Sequence, residues 1–217
     1  MMDAMEFRDK VVVVLAAGCT EGRDLARMAA RAGARVVVVD HDERQVNAIA
    51  ALAPDRIEAL RLDLFKPAQC RAFYEVWADE PLDLLIQCHP LRAPHRLGAA
   101  VQAMSAMAKG LAGGLARGRG RVVMLHSAVE AGQEAGDKAL TQALEVLPGV
   151  MQAEPWAKAL WVTGLRLPGN GAAPMGLRQA LCAVMARDGA FAPGHVLPLA
   201  PDAVDAGRGG VKPARDE

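Results

Sequence analysis

The hydrophobic positions of this chain follow two alternating rhythms. Val11–Leu15 is an unbroken run of β-branched and aliphatic residues, and segments rich in such residues recur at 35–39, 57–62, 82–86, 121–125, 160–167 and 195–199. Such runs read as strands buried on both faces. Between them lie segments whose apolar residues recur three and four positions apart, the helical period. The first, 22–32, carries Leu25, Met28, Ala29 and Ala32 and ends at Gly33. Further helices are predicted at 43–52, 67–78 and 97–116. Others are predicted at 138–147, stopped by Pro148 and Gly149, near Trp156, and at 177–186. Strands alternating with helices predict an α/β fold, a doubly wound and mainly parallel sheet of six or seven strands with helices on both faces. The pattern makes one domain of residues 1–200. The stretch 201–217, rich in Gly, Pro and charge, is expected to be a mobile tail.

Composition narrows the function classes. Apolar residues make up 52% and charged residues 23%, and 25 basic residues balance 25 acidic ones. No net positive field favours a nucleic-acid backbone, so that partner is not expected. Asp3, Glu6 and Asp9 in the first ten residues do not read as a secretory leader. No apolar run approaches the ~20 residues that span a bilayer, so neither a membrane partner nor an exported chain is expected. Cys19, Cys70, Cys88 and Cys182 lack paired spacing, which predicts no metal site and reduced thiols in a cytoplasm.

In a doubly wound sheet, ligands bind where the first strand turns into its helix. Here that turn is Ala16-Ala17-Gly18-Cys19-Thr20-Glu21-Gly22. Asp40 closes the second strand, where a carboxylate can accept both ribose hydroxyls of an adenosine and repels a 2′-phosphate. Asp63, after the third strand, is placed to meet an adenine edge. The bland alternative is that both aspartates cap strand ends in turns.

These residues carry a resemblance. Phe7-Arg8-Asp9-Lys10 leads into the valine run, and Gly22-Arg23-x-Leu25-Ala26, Gly33-Ala34-x-Val36, Asp40 and Asp63 follow without a gap. Downstream come Leu167-Pro168-Gly169, Pro174-Met175 and Gly194-His195-Val196-Leu197-Pro198. In order and spacing the chain resembles the short-chain dehydrogenase/reductases over roughly residues 6–200. The resemblance implies a Rossmann-type sheet and a nicotinamide dinucleotide bound by Ala16, Gly18, Thr20, Gly22, Asp40, Asp63, Gln87, Pro168 and Gly169. It also departs. The family loop Thr-Gly-x-x-x-Gly-x-Gly is matched only at its third glycine, Gly22, which lets helix pack on strand. Thr20 stands where the middle glycine admits the pyrophosphate, and Glu21 adds a carboxylate beside it, a repulsion of about 1 kcal/mol or more. NAD is therefore expected over NADP, and its binding weak or vestigial, or lost altogether.

The catalytic end departs further. The family uses a tyrosine to move the proton, a lysine four residues later to lower its pKa, a serine to orient substrate and an asparagine for a water relay. Ser127 matches the serine. The tyrosine belongs about thirteen residues on, near Leu140, yet Tyr74 is the only tyrosine and lies far upstream. Lys138 is the only lysine between Ser127 and Lys158 and has no tyrosine four residues before it. The only asparagines are Asn47 and Asn170. The family's Asn-Asn-Ala-Gly reads Gln87-Cys88-His89-Pro90, and its nicotinamide-binding threonine reads Ala173. His126, His89 and Lys138 are the remaining acid/base candidates. His126 and Ser127, as neighbours on a strand, point to opposite faces and cannot share a proton.

A second resemblance comes from another class. Val14-Leu15-Ala16-Ala17-Gly18-Cys19-Thr20-Glu21-Gly22 is similar to the glycine loop of class I methyltransferases, which implies S-adenosylmethionine on Asp40 and Asp63. An antiparallel strand inserted in the sheet would mark that family. The three functions in play are thus a non-catalytic subunit of dehydrogenase ancestry, an NAD-dependent oxidoreductase with atypical catalytic groups, and a methyltransferase. Finally, the segment 97–116 carries Ala99, Ala100, Ala103, Met104, Ala106, Met107, Ala108, Leu111 and Ala112 around most of its circumference. A helix apolar on nearly all sides should be buried on nearly all sides. In the resembled family this helix forms a dimer contact, so a homodimer, or a heteromer with an active relative, is expected through 97–116.

Overall fold

The structure, a computed structural model, describes residues 7–128, 135–169, 174–186 and 192–199. Seven strands form its sheet: β1 Val11–Leu15, β2 Arg35–Asp40, β3 Ile57–Arg61, β4 Leu84–Gln87, β5 Arg121–Ser127, β6 Trp161–Leu167 and β7 Val196–Pro198. Their order is β3-β2-β1-β4-β5-β6-β7, and every pairing is parallel. The helices are α1 Thr20–Arg31, α2 Glu43–Ala50, α3 Pro67–Trp77, α4 His89–Arg92, α5 Leu97–Gly110, α6 Ala112–Gly118, α7 Ala135–Ala153 and α8 Pro174–Ala186. α1 packs with α2 and α8 on one face, and α5 packs with α3 and α7 on the other. The valines of β1 and β2 and the aliphatics of β4 and β5 are almost wholly buried between these layers. The expected doubly wound sheet is therefore present, and no antiparallel strand occurs among the described residues. That removes the support for the methyltransferase reading. The tail 201–217 lies outside the described residues.

Three local expectations are corrected. The helix predicted to begin at Gly22 begins at Thr20, because the Cys19 sulfur accepts the Gly22 N–H at 3.3 Å and caps it. Cysteine is not among the preferred caps, so the boundary is poorly marked in sequence. The helix predicted to stop before Pro148 runs on to Ala153. Its proline lacks an N–H, but it is buried against Gly164 of β6, where an added Cβ would lie 3.1 Å from the proline ring. Packing outweighs the lost hydrogen bond. The single helix predicted over 97–116 is two, α5 and α6, broken at Leu111. Gly110, Gly113 and Gly114 each cost about 1 kcal/mol of helix propensity there.

Nor is α5 covered all round. Leu97, Ala100, Ala103, Met104, Met107 and Ala108 face the core, whereas Gln102, Ala106 and Lys109 are exposed. Its outer side forms a groove with α3, lined by Leu64, Tyr74, Ala99 and Ala106 among others. On α7, Val146 and Val150 are 60% and 57% exposed.

Candidate functional site

The switch point of the sheet lies between β1 and β4, where successive connections leave in opposite directions. The β1–α1 turn lines it. Ala16 adopts a left-handed backbone, φ 55°, in the register of the family's first glycine. Gly22 sits so close to the turn that a Cβ would come within 2.8 Å of the Ala17 carbonyl. That is the close helix–strand packing read for it from sequence. Cys19 holds the Gly22 N–H, and Glu21 supplies a negative side chain in the first turn. The N-terminus of α1, the natural seat of a phosphate, thus already has a cap and a carboxylate of its own. Thr20 is exposed at its first position.

Asp40 is 1% exposed and fully engaged. Its Oδ2 accepts the Gly18 N–H at 3.0 Å and Arg92 Nε at 3.1 Å. Its Oδ1 accepts the Asp42 N–H at 3.0 Å, with His41 Nδ1 also at 3.0 Å and Arg92 Nη2 at 3.5 Å. The sequence reading offered this carboxylate to a ribose; the chain's own Arg92 holds it instead. A Cβ on Gly18 would meet Arg92 Nε at 2.7 Å, so the guanidinium lies directly on the loop. Arg92 escaped the sequence reading because its partner is 52 positions away, and the connection after β4 carried no periodic signal.

Arg92 is delivered by α4, a turn absent from the sequence expectation. Its first residue, His89, is fully buried, and neither ring nitrogen has a hydrogen-bond partner. Burial pushes its pKa down to about 4 against the opposing pull of Asp40, so the ring is neutral. Phe65 stands edge-on to His89 with ring centroids 6.0 Å apart, and the Arg96 guanidinium lies 4.1 Å from the Phe65 centroid. Beneath this segment Cys88 is buried; its hydrogen bond with Cys19 and its burial both push its thiol pKa well up. None of the four cysteines is in a disulfide.

Asp63 turns back on its own loop, accepting the Phe65 N–H at 3.1 Å and pairing with Lys66 at 3.3 Å. Partial burial pulls its pKa up, but those contacts outweigh it and leave the carboxyl below its usual range. Beside it a polar cleft of about 680 Å3 is lined by His41, Arg61, Leu62, Asp63, Lys66 and Gln69. Gln87 is buried and donates to the Met104 carbonyl at 3.1 Å, so it serves the packing of α5.

At the catalytic end, Ser127 is the exposed last residue of β5. Leu140, near the position the resemblance gives to tyrosine, packs against the core. Leu144, four residues on, is 2% exposed. Tyr74 belongs to α3, where its hydroxyl donates to Met107 Sδ at 3.2 Å and burial pushes its pKa to about 12. His126 is buried on the strand face opposite Ser127, with Nδ1 3.2 Å from the Ser127 carbonyl and Nε2 3.8 Å from Glu145. Burial, first of all, pushes its pKa down. Lys138 is exposed on α7. Pro168 and Gly169 follow β6, partly buried and exposed respectively. Asn170 and Ala173 lie outside the described residues. Ser127 can orient an oxygen, but no described side chain beside it is shown to move the proton.

The resemblance read from the sequence implies a nicotinamide dinucleotide. Its adenosine ribose would be received by Asp40, and every acceptor there is taken. The residues present do not fit an unphosphorylated ribose while Arg92 stays in place.

Among known proteins, the family profile described as short chain dehydrogenase matches residues 10–95. No curated protein matches the chain. Solved structures do. A Pseudomonas aeruginosa RhlG/NADP active-site complex has TM-score 0.77 at 16% identity, covering 91% of this chain and 97% of that one. A metagenomic short-chain oxidoreductase in complex with NADP has TM-score 0.72 at 18% identity, covering 90% and 99%. A hydroxysteroid dehydrogenase from Escherichia coli has TM-score 0.75 at 15% identity, covering 91% and 99%. The profile match over residues 10–95 makes that part of the chain similar to short-chain dehydrogenases, and the solved structures share its fold.

Proposed function

We propose that this chain is a non-catalytic member of that family, a cytoplasmic subunit or binding module that keeps the nucleotide-binding sheet without hydride-transfer chemistry. One observation carries the reading. Core-packed Leu140 and Leu144 occupy α7 where the family needs a phenol and a cation. A phenol titrates near pH 10 and works near neutrality only beside such a cation. The NADP seen in two similar structures belongs to those proteins. In this chain the bound nucleotide is weak or vestigial, because α1 brings its own cap and Asp40 its own partner. The exposed residues of α5, together with the exposed Val146 and Val150 of α7, which packs against α5, support assembly as a homodimer or with an active relative. Purified protein supplied with NADH or NADPH and a panel of ketones should show no loss of nicotinamide absorbance above background. Steady turnover that disappears in Ser127→Ala would overturn the proposal.

A further inference from the structure

We propose that Arg92 sets the nucleotide preference of the cleft, turning it from a bare adenosine ribose toward one that carries a phosphate monoester. The inference rests on reading the cleft as a nucleotide site. Asp40 is the anchor of this device and not its ligand-binding group. Its carboxylate is buried and held by two backbone N–H groups, by Arg92 and by His41. A bare ribose seeking Asp40 must first pull the guanidinium away, which strips a buried carboxylate of its counter-charge. A phosphate need not do so. Guanidinium has five N–H donors in a planar fork. Nε and Nη2 are turned to Asp40, and the side chain remains 26% exposed, which leaves its outer edge to meet an anion.

The surroundings agree in sign. His41, already on Asp40, also lines the polar cleft at the ends of β2 and β3 together with Arg61 and Lys66. The one carboxylate lining that cleft, Asp63, is paired with Lys66. Arg61 reaches Glu43 at 3.6 Å, an exposed contact that a bound phosphate can replace. Asp40 alone predicts rejection of a 2′-phosphate; Asp40 with Arg92 on it predicts acceptance.

Calorimetric titration of the wild-type chain, Arg92→Ala and Arg92→Lys with NAD and NADP tests this, with circular dichroism melts confirming that each variant folds. The wild type should bind NADP about tenfold more tightly than NAD, the order of effect of a charge-assisted contact. Arg92→Ala should reverse that order, weakening NADP and strengthening NAD. Arg92→Lys, which keeps the charge without the fork, should retain a reduced preference for NADP. A wild-type preference for NAD, or a ratio that neither variant moves, would overturn the inference and leave the nucleotide-site reading standing. Absence of binding by all three proteins would overturn both.

Discussion

Ala16 holds a left-handed backbone at φ 55° where the loop of the resembled family has glycine. That conformation costs an L-residue roughly 1–2 kcal/mol, and a glycine would return part of the gain as unfolded-chain entropy. Ala16→Gly should therefore stabilise the protein by about 1 kcal/mol in urea unfolding; a loss of stability would contradict the strain. His89 makes a second prediction. Its pKa is about 4 in the folded protein, below the ordinary 6.5. The unfolded chain thus binds the proton first. The stability His89 protects is complete above pH 6.5 and falls as pH drops toward 4, by up to about 3 kcal/mol. His89→Phe should flatten that part of the stability–pH curve, and an unchanged slope would show that the ring is not the cause. The glycine-to-alanine change was visible in sequence; its left-handed backbone was not. Burial of His89 was not legible, because α4 is held by Phe65 and the sheet and not by any periodic pattern of its own.

Strands were read closely because β-branched runs have few alternative homes. Helix ends were read less well. α7 passes through Pro148 because its ring packs on Gly164, a contact between residues sixteen positions apart that no local propensity encodes. α5 was expected to be apolar all round, and alanine misled that estimate, since it is small enough to sit in solvent at little cost. Ala103 and Met107 face the core, while Ala106 on α5 and Val146 and Val150 on α7 are exposed. If these helices form the assembly surface, Ala106→Glu with Val146→Glu should give a folded monomer, while the wild type sediments as a dimer at micromolar concentration. A wild-type monomer, or a variant that still dimerises, would remove this surface from the proposal.

For the molecule as a whole, topology was the most legible property. Alternating strands and helices, with a glycine turn after the first strand, led to the parallel sheet and to β1 beside β4. Of the site, the sequence showed directly that Tyr74 is the only tyrosine and that Asn47 and Asn170 are the only asparagines. What filled the space it did not show. Asp40 looked free until the fold brought Arg92 onto it, and that pairing is a product of chain reversal. We propose that this dehydrogenase-like fold carries out no hydride transfer. The most direct measurement is a stoichiometric incubation of protein with NADH or NADPH bearing a transferable deuterium and a panel of carbonyl compounds, read by mass spectrometry. No deuterated alcohol above the protein-free control is expected. Deuterated product in amounts comparable to the protein, and absent with Ser127→Ala, would contradict it.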